Sequence, residues 1–110
     1  MIVDDNLDNA HALALLLRLM GHDARAEFSG QRALRRAAYF RPHVVFLDLS
    51  MPGMSGYEVA SALRETHSDV RIIAVTALMG EEHERRCREA GFNAHFLKPI
   101  DPAILPVLLR

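Results

Sequence analysis

His43-Val44-Val45-Phe46-Leu47-Asp48-Leu49-Ser50-Met51-Pro52-Gly53-Met54-Ser55-Gly56 is the stretch that decides the fold class. Its first five residues are apolar after His43 and rich in β-branched side chains. A short continuous run of this kind predicts a strand buried on both faces. Its second half gathers turn formers, and Ser55 stands before Tyr57, Val59, Ala60 and Leu63 at helical spacing. Ser55 is therefore a candidate helix cap. A doubly buried strand that turns into a helix is the repeating unit of a parallel α/β sheet.

On either side of this stretch the same unit recurs. Further strand-like runs occur at Met1–Val3, Ala24–Phe28, Val70–Val75 and Asn93–Leu97. Between the first two, Ala10, Leu13, Leu16, Leu17 and Met20 recur at helical steps, and Gly21 follows as a stop. Ser29 is placed to cap a helix running to about Phe40, closed before Pro42. A fourth helix is expected over Glu81–Ala90, with acidic residues in its first turn and Gly91 after it. A fifth begins near Asp101, with Pro102 at the first helical position. β-α repeated five times implies a parallel sheet with helices on both faces, because right-handed crossovers place them there. Periodicity leaves the strand order open. The first strand has only three residues before the acidic pair Asp4-Asp5, where five or six are usual, so a truncated strand is expected. Pro106 removes one helical hydrogen bond and should kink or shorten the fifth helix. The Leu-rich first helix reads as core.

Composition bounds the function. The chain has 110 residues, 50% hydrophobic and 25% charged. This suits one domain over residues 1–110. Thirteen basic against fourteen acidic residues leave a net charge of −1, which is no footprint for nucleic acid or an anionic membrane. No apolar run approaches the roughly 18 residues of a bilayer span, and no basic segment followed by an apolar one marks a secretory signal. The single cysteine fits a reducing, cytoplasmic setting. The ends at Met1 and Arg110 favour a fragment of a larger protein over a free-standing one.

In an open parallel sheet, ligands bind beyond the carboxyl ends of the strands. Asp4 and Asp5 follow the first strand, Asp48 the third, Thr76 the fourth and Lys98 the fifth. Each has an ordinary reading alone: an Asp after a strand forms turns or caps, and a Lys before Pro sits in solvent. Together they deliver three carboxylates, a hydroxyl and an ammonium to one edge. Two unit charges 4 Å apart interact by about 4 kcal/mol at an effective dielectric near 20, so three carboxylates need positive partners. Lys98 is one, and a hard divalent cation such as Mg²⁺ is the natural second. A carboxylate among these groups is placed to attack phosphorus and form an acyl phosphate. Spacing leaves open which carboxylate attacks; Asp48 is favoured because it stands alone at its strand end.

These residues resemble the receiver domains of two-component response regulators, of the chemotaxis-regulator type and of hybrid sensor histidine kinases. Asp4-Asp5 is similar to the family's acidic pair, and Asp48 to Gly56 to its phosphorylation loop, with Met51-Pro52, Met54 and Gly56 in step. Thr76-Ala77 resembles the switch hydroxyl and the small residue after it, and Ala90-Gly91 and Lys98-Pro99 fall at matching places. The resemblance spans nearly the whole chain. It implies a doubly wound, flavodoxin-like sheet in the order 2-1-3-4-5. It implies Asp48 as phosphoacceptor, served by Thr76 and Lys98. Mg²⁺ would be held by Asp5 and Asp48 through carboxylates, by Ser50 through its backbone carbonyl and by Asp4 mostly through water. It further implies a usually cis Lys98-Pro99 bond and a switch formed by Thr76 and by His95 at the rotating aromatic position. Ser50 and Leu78 take the two positions that tune phosphate lifetime. The expected donor is a sensor histidine kinase or a histidine phosphotransfer protein. The expected role is regulatory rather than enzymatic, with self-catalysed phosphorylation and dephosphorylation only, and with no direct contact to nucleic acid or membrane.

An aspartyl-nucleophile phosphatase or phosphotransferase is the rival reading. Such enzymes place a second Asp two residues after the nucleophile, where this chain has Ser50. A degenerate receiver that binds constitutively is the third. His83 and Cys87, four apart, have metal-ligand types but no further ligand nearby in sequence. Arg85, Arg86 and Arg88 among Glu81, Glu82, Glu84 and Glu89 read as a solvated face with compensating charge.

Overall fold

Five strands and five helices alternate along the chain in the computed structural model, which describes residues 1–77 and 80–110. The strands are β1 (Ile2–Val3), β2 (Ala26–Glu27), β3 (Val44–Leu47), β4 (Arg71–Thr76) and β5 (Ala94–Leu97). The helices are α1 (Leu7–Leu19), α2 (Gly30–Phe40), α3 (Gly56–Thr66), α4 (Glu81–Ala90) and α5 (Leu105–Leu108). Every neighbouring pair of strands is parallel, in the order β2-β1-β3-β4-β5. This is the doubly wound, flavodoxin-like sheet that the resemblance implied. β1 is short, yet Ile2 and Val3 pair on both sides, with Ala26 and Glu27 of β2 and with Phe46 and Leu47 of β3.

Successive strand residues point to opposite faces, so the central strands feed two cores. Val3, Val45, Leu47, Ile72 and Ala74 pack with Val59 and Leu63 of α3, Ala33 and Ala37 of α2 and Cys87 of α4. Ile2, Phe46, Ile73 and Val75 pack on the other face with Ala14 and Leu17 of α1 and with Leu105 of α5. Both faces of β3 are therefore dry, which is why its run is continuously apolar.

Caps set the helix bounds. Ser29 Oγ accepts from Arg32 N–H at 3.3 Å. Ser55 and Glu58 form a capping box, each side chain accepting from the other's backbone N–H. α1 begins a turn earlier than its apolar spacing suggests, because Asn6 Oδ1 accepts from Asn9 N–H at 3.0 Å. α2 closes on Arg41 in the left-handed region (φ 52°), directly before Pro42. The core reading of α1 holds for one face only: Ala10, Ala14 and Leu17 are buried, whereas Leu7, Leu15 and Leu19 are exposed.

Pro106 does shorten the last helix. Residues Pro102–Ile104 form a 3₁₀ turn, and Leu105 N–H bonds to Pro102 O. Pro106 has no N–H to offer that carbonyl in the α-helical pattern, so the tighter bond takes its place. No helix among the described residues is long and apolar enough to cross a membrane.

Candidate functional site

Parallel pairing sends every strand's carboxyl end to one edge of the sheet. The ladder continues one residue past three of these ends and fixes the residue after each. Asp4 N–H bonds to Glu27 O at 3.1 Å, Asp48 N–H to Val3 O at 2.9 Å and Lys98 N–H to Thr76 O at 2.8 Å. Asp4, Asp48, Thr76 and Lys98 are thereby brought to one place. Lys98 Nζ lies 2.8 Å from Asp4 Oδ2 and 3.4 Å from Asp48 Oδ2. One carboxylate oxygen from each of Asp4, Asp5 and Asp48 falls within 4.8 Å of the other two. Asp4 and Asp48 are buried, each 6% exposed, while Asp5 faces solvent.

Backbone donors fill further carboxylate positions. Asn6 N–H bonds to Asp4 Oδ1 at 3.0 Å, and Ser50 N–H bonds to Asp48 Oδ1 at 3.2 Å. Burial pushes the Asp48 carboxyl above its ordinary range, and the negative charge of Asp4 adds to this. Lys98 and the Ser50 N–H oppose the rise without cancelling it. Burial would lower the Lys98 ammonium, but the Asp4 hydrogen bond and the Asp48 charge outweigh it and hold the pKa above the ordinary lysine value. Among the described residues the cup is thus an anionic pocket with one internal cation, Lys98.

Gly56 lets α3 reach this edge. A Cβ on it would run into Asp48 O and stand 2.7 Å from Leu49 Cα. Only a residue without a side chain allows the helix to begin against the backbone that leaves β3, where Gly56 N–H bonds to Leu49 O at 3.1 Å.

The other candidate residues divide. Thr76 is fully buried at the end of β4, opposite Leu97. His95 is half-buried on β5 opposite Ala74, and its enclosed Nε2 has no hydrogen-bond partner among the described residues. The Lys98-Pro99 bond is cis. Leu78 lies outside the described residues. His83 and Cys87 gather no third donor among the described residues: His83 Nδ1 meets the Tyr57 hydroxyl at 3.1 Å, and Cys87 is buried in the core beside α3. Arg85 pairs with Glu82 at 2.7 Å and with Glu89 at 3.4 Å, in line with the compensated face expected of α4, whereas Arg86 lies over the Tyr57 ring, 4.0 Å from its centroid. Asn6 joins the site without having been expected there. Its signal in the sequence is a good N-cap type directly after the acidic pair; it starts α1 and holds Asp4 at once.

The donor set fits a hard divalent cation such as Mg²⁺: three carboxylates converge, and such ions take oxygen ligands, from protein and from water together. Comparisons with known proteins agree with this architecture. The family model described as response regulator receiver domain matches residues 1–110. The DNA-binding response regulator MtrA of Mycobacterium leprae is 34% identical over 110 residues, which is 100% of this chain and 48% of MtrA. The transcriptional regulatory protein PrrA of the same organism is 33% identical over 99 residues, 90% of this chain and 42% of PrrA. The chain therefore spans about half the length of the curated relatives it matches. Among solved structures, the chemotaxis protein CheY4 of Vibrio cholerae superposes with a TM-score of 0.92 at 25% identity, covering 98% of this chain and 92% of that one. A sheet in this order, an acidic edge bridged by one lysine and a match running from the first residue to the last have one reading: the chain belongs to the response regulator receiver domain family, whose members are regulatory signalling modules.

Proposed function

We propose that Asp48 accepts a phosphoryl group from the phosphohistidine of a sensor histidine kinase or a histidine phosphotransfer protein, and that the acyl phosphate switches a protein-binding surface. The observation that carries this reading is the Lys98 ammonium set between two buried carboxylates, one of them alone at the end of a central strand. An Asp48 carboxylate oxygen attacks phosphorus. The O–P bond forms as the donor's N–P bond breaks, and the imidazole nitrogen keeps the electron pair and takes up a proton. Hydrolysis later returns the carboxylate and inorganic phosphate.

Asp5 and Asp48 would hold Mg²⁺ through carboxylates, Asp4 through water and Ser50 through its carbonyl. Bound there, the ion supplies positive charge against the phosphoryl oxygens. The chain's own residues do the rest. Ser50 N–H orients Asp48, Lys98 neutralises charge, and the Thr76 hydroxyl hydrogen-bonds the new group. Phosphorylation adds about −1.5 to −2 charge. Differential contacts from Thr76 and Lys98 then bias α4, β5 and α5 between two packings, with His95 inward in one of them. The domain catalyses only its own phosphorylation and slow dephosphorylation.

Incubation with acetyl phosphate and Mg²⁺ tests the assignment. Intact-mass measurement should show one added phosphoryl group, lost in Asp48→Asn. Equal labelling of that variant would refute it.

A further inference from the structure

The two arginine-rich helices differ in the acidic residues set among their arginines: α4 carries Glu81, Glu82, Glu84 and Glu89, and α2 carries none. On α4, Arg85 is matched by Glu82 and Glu89. On α2 no acidic residue lies within the helix to do this. From Phe28 to Leu47 the chain carries Arg32, Arg35, Arg36 and Arg41 and no acidic residue. Among the described residues only Arg36 of these four finds an ionic partner, Glu27 of β2. Arg32 and Arg35 are exposed and have no ion pair among the described residues.

At 100° per residue, Arg32, Arg35 and Tyr39 fall within about 60° of one another, on a stripe about 10 Å long. Ala33 and Ala37, on the opposite side, are in the core. Tyr39 is 72% exposed. An aromatic ring and two guanidinium groups with no ionic partner among the described residues stand on one helix face, and Tyr and Arg are residue types enriched where binding energy concentrates at protein interfaces. Nothing in the phosphoryl chemistry uses them.

We propose that the outward face of α2 is a docking surface for a short acidic segment of a partner protein, with carboxylates about one helical turn apart to meet Arg32 and Arg35 and an apolar side chain to pack on Tyr39. An extended polyanion fits less well. The chain's net charge is −1 and its acidic cup lies at the sheet edge, so beyond a Debye length of about 8 Å a long anion gains no general attraction.

The test uses a helical peptide with Glu at i and i+4 and Leu one turn beyond the second Glu, the same peptide with Gln for Glu, and a DNA duplex, at physiological ionic strength. Fluorescence anisotropy and amide chemical shifts should report binding of the Glu peptide centred on residues 32–39. Arg35→Glu should weaken it about tenfold or more and Tyr39→Ala severalfold. Both variants should keep acetyl-phosphate labelling of Asp48, which shows an intact domain. Equal binding of the Gln peptide, tighter binding of the duplex, or affinity unchanged within about twofold in either variant would overturn the proposal.

Discussion

Asp48 meets two opposed demands. Its nucleophilic oxygen must be charged, yet it is buried next to Asp4, and burial raises its pKa. A carboxyl whose folded-state pKa lies above its unfolded value binds its proton more tightly when folded. Its contribution is stabilising below the unfolded pKa and is lost as pH rises through the folded one. At neutral pH, then, the Asp48 charge weighs against folding of the metal-free domain. Asp48→Asn should melt a few degrees higher than the parent at pH 7 without Mg²⁺, and the gap should close as pH falls below about 4, the ordinary carboxylate range. Thermal melts across pH read both effects. Lys98 gives the converse case. Lys98→Ala leaves Asp4 and Asp48 without their internal cation, a loss of roughly 1–3 kcal/mol for partly buried charges. Urea titration should show that loss, and Mg²⁺ should restore more stability to this variant than to the parent.

Helix starts and strand ends are where local rules met tertiary ones. α3 needs Ser55 as cap and Gly56 as a bare backbone position, and both are written in the sequence. Ser55→Ala should cost about 1 kcal/mol by loss of the capping box. Gly56→Ala should cost more, because its Cβ meets the Asp48 carbonyl, and it should also slow Asp48 labelling; Ser55→Ala should leave the labelling rate near normal. Stopped labelling by quantitative mass measurement separates them. β3 and β4 were legible because both of their faces are buried and their runs are continuously apolar. The order of the strands was not, since pairing is a choice made in three dimensions; it came from the resemblance alone. The first turn of α1 was hidden because Leu7, Asp8 and Asn9 carry no inward apolar side chain, and Asn6 alone starts the helix. The split burial of Asp4 and Asp5 was equally hidden. Neighbouring residues leave a strand end in opposite directions, so one joins Lys98 inside and the other faces water.

Taken across the whole fold, the cup exists only when the chain is folded. Asp4 and Asp5 reach Asp48 because β1 lies beside β3, and Lys98 joins them from the far end of the sequence. The unfolded chain gathers no such set, so a cation bound there stabilises the native state by RT ln(1 + [M]/Kd). Free metal at about ten times Kd adds about 1.4 kcal/mol, and each kcal/mol raises the melting temperature by roughly 4–8 °C in a domain near this size. Asp48→Asn removes one of the three carboxylates and should lose most of that rise. The variant begins higher for the reason given by its burial, and the parent gains more from metal. The two melting temperatures should therefore cross as Mg²⁺ is raised through the millimolar range. Differential scanning fluorimetry over a Mg²⁺ series reads the crossing directly. Parallel curves with no crossing would mean that the metal and Asp48 do not share a site, whatever the carboxylate spacing suggests.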